Sequence, residues 1–120
     1  MAYDDWCIAQ FAKGLGKDAD AKKFSEMGTY YKNYYDPETG FMRGHLADGS
    51  WREPFSPSAS DHHHSDYVEG NAWQWTWYVP HDVEGLIEEM GGKEAFARKL
   101  DSLFTITSEV LGEEKSGDIT

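Results

Sequence analysis

The order of residues predicts an all-α fold of antiparallel helix hairpins, interrupted by one long irregular loop. Three observations predict it. Apolar side chains recur at three- and four-residue spacing in several stretches, most clearly Ala21, Phe24, Met27, Tyr31 and Tyr34. Short connectors bearing Gly or Pro separate those stretches. From Phe41 to Asp66 the period vanishes, and Gly, Pro, Ser, Asp and His become frequent.

Residues ~4–14 pattern as a first helix. Asp4 or Asp5 lies near its start, Trp6, Ala9 and Lys13 fall on one side, and Gly14-Leu15-Gly16 ends it. A second helix is expected over ~18–35, with Asp18 available as a cap and Gly28 weakening it by roughly 1 kcal/mol relative to Ala. Asp36-Pro37-Glu38-Thr39-Gly40 is turn chemistry, with Pro37 at a bend and Gly40 free to take positive φ. Residues 41–66 form the irregular loop, and long loops of this kind are often functional. A helix from Glu69 or Gly70 to ~Tyr78 follows. The next spans ~80–90, with Pro80 in its first turn and Gly91-Gly92 closing it. The last, ~93–104, carries Phe96, Leu100, Leu103 and Phe104 on one face, and residues 108–120 read as a loose polar tail.

At 120 residues the chain is one domain at most (1–120), large enough for one core. Its formal net charge of −11 argues against nucleic acid, which needs basic clusters, and opposes binding to an anionic membrane surface. No apolar run approaches the length of a membrane span. The one cysteine, Cys7, lies in an apolar run and reads as a small packed residue rather than a nucleophile. Aromatic content of 15% is high, and it suits either a core or a sugar-binding surface.

The aromatic residues concentrate in Glu69-Gly70-Asn71-Ala72-Trp73-Gln74-Trp75-Thr76-Trp77-Tyr78-Val79-Pro80-His81-Asp82-Val83. A carboxyl walled by aromatic rings is poorly solvated as an anion, so its pKa rises, which suits a general acid for an acetal oxygen. Trp and Tyr faces pack on the C–H faces of sugars, while Asn71, Gln74 and His81 can reach hydroxyls. Against this, a Glu at a helix start is commonly no more than a partner of the helix dipole. Trp73 and Trp77 share a helical face whereas Trp75 does not, so at least two of the three read as core. His81-Asp82 reads first as a polar cap after Pro80.

The Glu69–Gln74 segment, Val79-Pro80-His81-Asp82-Val83, Gly85-Leu86-Ile87, Met90-Gly91-Gly92 and Leu100-Asp101-Ser102-Leu103-Phe104 resemble consecutive motifs of the glycoside hydrolase family 92 α-mannosidases. The upstream half is similar too: Trp6, Ala12-Lys13-Gly14-Leu15-Gly16, Tyr30–Pro37, Gly40-Phe41-Met42-Arg43, Asp48-Gly49-Ser50-Trp51 and Pro54-Phe55. The resemblance implies an internal fragment of a much longer enzyme, a partial slice of its (α/α)6 barrel. That enzyme is expected to be exo-acting, inverting and calcium-dependent, to act on mannose-containing glycans, and to be periplasmic or secreted and bacterial. It assigns Glu69 as general acid; Trp51, Asn71, Trp73, Gln74 and His81 are substrate-binding candidates on the chemistry of their own side chains. The general base is expected beyond this chain, as are most calcium ligands, so none is placed here. His62-His63-His64 lacks a second cluster at zinc-ligand spacing and reads as a surface loop. A helical fragment stripped of its neighbours is expected to self-associate. The alternative function is a non-catalytic glycan-binding or protein-interaction domain built on the Trp cluster.

Overall fold

The computed structural model describes residues 1–61 and 64–106; the expected tail at 108–120, together with His62 and His63, lies outside the described residues. The chain is helix-rich, with a small antiparallel sheet. Helix α1 (Ala2–Gly14) and helix α2 (Asp18–Met27) form an antiparallel hairpin, with Ala9 and Ala12 of α1 buried. Asp4 and Asp5 sit in the first turn of α1 and Lys13 in its last, each matched to the helix dipole. The turn between the helices is a Schellman closure. The Gly16 N–H donates to the Lys13 carbonyl (3.1 Å) and the Lys17 N–H to the Ala12 carbonyl (2.9 Å), with Gly16 at φ +69°. Asp18 occupies the first turn of α2 rather than capping it through its side chain.

The second helix stops short of the predicted ~35. It ends at Met27, and a tighter 3-10 turn follows over Tyr30–Tyr34. Gly28 is the reason. It packs closely against the start of α1: a Cβ there would stand 3.3 Å from the Ser25 carbonyl oxygen and touch Trp6 Cβ at 3.4 Å and the Ala2 carbonyl at 3.5 Å. Its carbonyl also accepts a hydrogen bond from His81 Nε2 at 2.7 Å instead of serving the helix ladder.

Strands β1 (Tyr35–Asp36) and β2 (Phe41–Met42) pair antiparallel across the predicted turn, Tyr35 opposite Met42 and Asp36 opposite Phe41. Gly40 takes φ +73°, and its N–H reaches the Asp36 carbonyl at 2.7 Å. The loop that follows is irregular as expected, apart from a bridge pairing His45 with Trp51.

Helix α3 is a single turn, Ala72–Trp75, far shorter than the predicted Glu69–Tyr78. Helix α4 (Val83–Glu89) starts three residues after Pro80, with Asp82 as its N-cap accepting from the Gly85 N–H at 3.1 Å. The cap is therefore where the sequence placed it, and Pro80 precedes the helix instead of opening it. Helix α5 (Lys93–Thr105) follows Gly91 and Gly92, both at positive φ. Phe96, Leu100 and Leu103 are half-buried, but Phe104 turns outward at 78% exposure.

The core gathers Tyr31, Tyr35, Val79, Leu86 and Met90, with Ala2, Met42, Trp77 and Phe96 against them. It thus joins the 3-10 turn, the hairpin, the link after α3, and α4. The Tyr31 hydroxyl donates to Asp82 at 2.7 Å, so the cap of α4 is also tied to the 3-10 turn. Burial first, then this carboxylate, push the Tyr31 phenol well above its ordinary value. On the outer face of α1, Ile8, Phe11 (71% exposed) and Leu15 (60%) form an apolar stripe. Among the described residues no helix is long and apolar enough to cross a membrane.

Candidate active site

Glu69 sits on a backbone turn, not in a helix. Its φ is +50°, the left-handed region that non-glycine residues avoid at a cost of roughly 1–2 kcal/mol. Such strain persists only where neighbours impose it, and it concentrates at functional positions. The neighbours are visible. Asn71 N-caps α3, its side-chain oxygen accepting from the Gln74 N–H at 3.2 Å, while Gln74 Oε1 accepts from the Asn71 N–H at 3.0 Å. This reciprocal capping box needs Asn and Gln three apart. Gly70 lies against it: a Cβ there would stand 2.5 Å from Gln74 Oε1. On the other side of Glu69, the indole N–H of Trp75 donates to the Val68 carbonyl at 2.8 Å.

The Glu69 carboxyl is exposed, which corrects the expectation of an enclosing aromatic wall. Trp73 turns away to meet Phe41 edge-on at 4.8 Å, and Trp51 stacks on His45 at 4.0 Å. The three Trp of the segment take three directions: Trp73 to Phe41, Trp77 to Phe96 at 5.3 Å, and Trp75 to Tyr78 at 5.6 Å. The expected shared face of Trp73 and Trp77 is lost because α3 ends at Trp75. Asn71 and Gln74 do lie together beside Glu69, but their amide oxygens serve the backbone. His81 stands apart in an aromatic box of Tyr3, Trp6 and Tyr31, with Nε2 committed to Gly28. The carbonyl it meets fixes the Nε2–H tautomer.

A second cluster centres on Arg43. Arg43 is buried and donates to Asp36 at 2.8 Å, to Glu53 at 2.6 Å and to the Arg52 carbonyl at 3.0 Å, with its guanidinium 4.3 Å from the centre of the Phe55 ring. Asp36, only 2% exposed, also accepts from Thr39 Oγ1 and the Glu38 N–H. Burial alone would raise its carboxyl, but the Arg43, Thr39 and Glu38 hydrogen bonds outweigh burial and hold it below its ordinary value. Arg52 pairs with Asp66 and donates to the His64 carbonyl at 3.0 Å. Arg43, Arg52, Glu53 and Asp66 line a cavity of about 260 Å³ with Ser65 and Tyr67. Tyr67 donates its hydroxyl to the Met42 carbonyl, and burial, helped by Asp66, pushes its phenol up to about 12. The Met42 N–H in turn donates to buried Thr76 Oγ1 at 3.1 Å. β2 is therefore fastened to residues on both sides of Glu69. The sequence signal for this network was the Gly40-Phe41-Met42-Arg43 motif; the partners of Arg43, up to ten residues away, carried none.

Among the described residues, no three His, Cys, Asp or Glu side chains converge as a cation site. Glu53 and Asp66, two of the carboxylates at the cavity, are engaged by Arg43 and Arg52. These residues do not fit calcium.

Comparison with known proteins adds an independent view. Residues 1–119 match the glycosyl hydrolase family 92 catalytic domain. A structure of a family GH92 α-mannosidase from Bacteroides thetaiotaomicron is 50% identical at a TM-score of 0.81, over 89% of this chain and 14% of that one. A Bacteroides thetaiotaomicron GH92 α-mannosidase in complex with mannoimidazole gives 46% identity and a TM-score of 0.83, over 94% and 16%. A family GH92 inverting mannosidase from the same organism gives 38% and 0.75, over 97% and 16%. A protein described as an uncharacterized secreted glycosidase from Arthroderma benhamiae is 26% identical over 96% of this chain and 17% of its own length. The chain thus spans about a sixth of the proteins it resembles.

Proposed function

This chain belongs to glycosyl hydrolase family 92, and from that premise we propose that it forms part of the catalytic centre of an inverting, exo-acting α-mannosidase. Glu69 is the general acid that protonates the departing glycosidic oxygen. The observation that carries this is the left-handed backbone at Glu69, held from both sides within a segment matched by α-mannosidases. Inversion needs a second carboxyl roughly 6.5–9.5 Å away, with a water between it and the sugar. We place that base outside these 120 residues, on further barrel helices that would also close over the exposed Glu69 and supply the calcium ligands. A periplasmic or secreted setting belongs to the same proposal. A glycan-binding module built on the Trp cluster gains no support, since the three indoles diverge.

The isolated 120-residue chain is therefore expected to show no turnover of an aryl α-mannoside or of α-1,2-linked mannobiose. Without a base no water is activated on the far face of the ring. Clear hydrolysis that disappears in Glu69→Gln would refute this division of labour.

The isolated chain is also expected to self-associate through an apolar face. The Ile8–Phe11–Leu15 stripe and outward-turned Phe104 leave apolar area in water at roughly 25 cal/mol per Å². Repulsion from a net charge of −11 is screened beyond about 8–10 Å at ordinary ionic strength. Sedimentation should show mass rising with concentration, and Phe11→Ser should lower it. A monomer at every concentration that binds no apolar dye would rule this out.

A further inference from the structure

We propose that Trp75 is a positioning residue for Glu69: its indole N–H holds the Val68 carbonyl while the Gln74 amide holds the Asn71 N–H, so α3 grips the chain on both sides of the acid. The inference rests on Glu69 being that acid. The two grips come from adjacent residues of one helical turn, and Gly70 is seated against both. A Cβ on Gly70 would stand 2.5 Å from Gln74 Oε1 and 3.1 Å from Trp75 Nε1. The Val68 side chain is exposed, so its carbonyl is the handle by which this strand of chain is fixed. With Val68 and Asn71 both pinned, the left-handed turn at Glu69 is the conformation that spans them. Release of the Val68 carbonyl lets Glu69 relax toward extended backbone, which swings its Cα–Cβ bond away. A proton donor must lie within about 2.6–3.2 Å of the oxygen it serves, and a displacement of about 1 Å can cost on the order of a hundredfold in rate.

Two measurements test this. In the 120-residue chain itself, the indole N–H of Trp75 should exchange with solvent far more slowly than a free indole; exchange at the free rate overturns the proposal. In a parent-length enzyme carrying this segment, Trp75→Phe keeps a smaller aromatic ring and removes the donor. It should lower kcat on α-1,2-mannobiose by at least about tenfold with little change in KM, and should barely affect an aryl mannoside whose leaving group needs no proton. Gly70→Ala, which crowds both grips, should give the same leaving-group pattern. Equal losses on both substrates, or none, overturn the positioning role. Glu69→Gln run alongside separates the two claims. If it lacks the leaving-group pattern, the acid assignment fails; if it shows the pattern and Trp75→Phe does not, the grip fails.

Discussion

Glu69→Gln in a parent-length enzyme should reduce hydrolysis of natural mannosides by about 10²–10⁴-fold, the usual contribution of general acid catalysis. Glutamine keeps the shape of the side chain and its left-handed backbone but has no proton to give. The acidic phenol of an aryl mannoside departs as the phenolate without a proton, so hydrolysis of that substrate should slow far less. The ratio of the two losses is the informative quantity, because a folding defect would scale both equally. Steady-state kinetics on mannobiose and on a dinitrophenyl mannoside measure it. An equal loss on both would assign Glu69 to binding or folding rather than to proton transfer.

Arg43→Met should destabilise the described fold by about 3–5 kcal/mol, since it strands the buried Asp36 charge without its partner. Against a typical total of about 5–15 kcal/mol, this is enough to unfold a marginal chain. Most of the loss lies with Asp36, because Glu53 is 68% exposed on its side chain and its pairing is weakened by solvent. The pH dependence carries a sign. In the wild type the Asp36 pKa lies below its ordinary 3.8, so its contribution is present above that value and is lost as pH falls through the lowered one. In Arg43→Met the ion pair no longer opposes burial, while the Thr39 and Glu38 hydrogen bonds remain, so the Asp36 carboxyl moves up from its wild-type position. The variant should then lose less stability than the wild type as pH drops. Urea unfolding at several pH values reads both effects. A penalty under about 1 kcal/mol would show that water reaches Asp36 in the variant.

The parts of the fold legible in sequence were those fixed by local chemistry. The turn from Asp36 to Gly40, the Asp82 cap, the Gly91-Gly92 break and the α1–α2 hairpin all follow from residues a few positions apart. Helix ends were misread where distant groups intervene. Gly28 surrenders its carbonyl to His81, and the predicted helix at Glu69–Tyr78 shrinks to one turn. The capping box of Asn71 and Gln74 is readable in sequence as an Asn-x-x-Gln helix start. β1 and β2 are two residues each, too short for alternation to register. At the site, the motif match singled out Glu69. Its exposure and the Arg43–Asp36–Glu53 network depend on long-range packing that no spacing encodes.

The ties from Tyr31 to Asp82 and from His81 to Gly28 close nearly the same stretch of chain, 51 and 53 residues long. Closing such a stretch costs roughly 3.5 kcal/mol of entropy, from the logarithmic growth of loop closure. One hydrogen bond, worth about 0.5–3 kcal/mol net, does not meet that cost alone. The loop is closed once, however, for both ties and for the core residues between them. Whichever contact forms first lowers the entropic barrier for the others, so the fastenings behave as one cooperative latch. Loss of either tie alone would leave the latch shut, and loss of both would be felt as more than the sum.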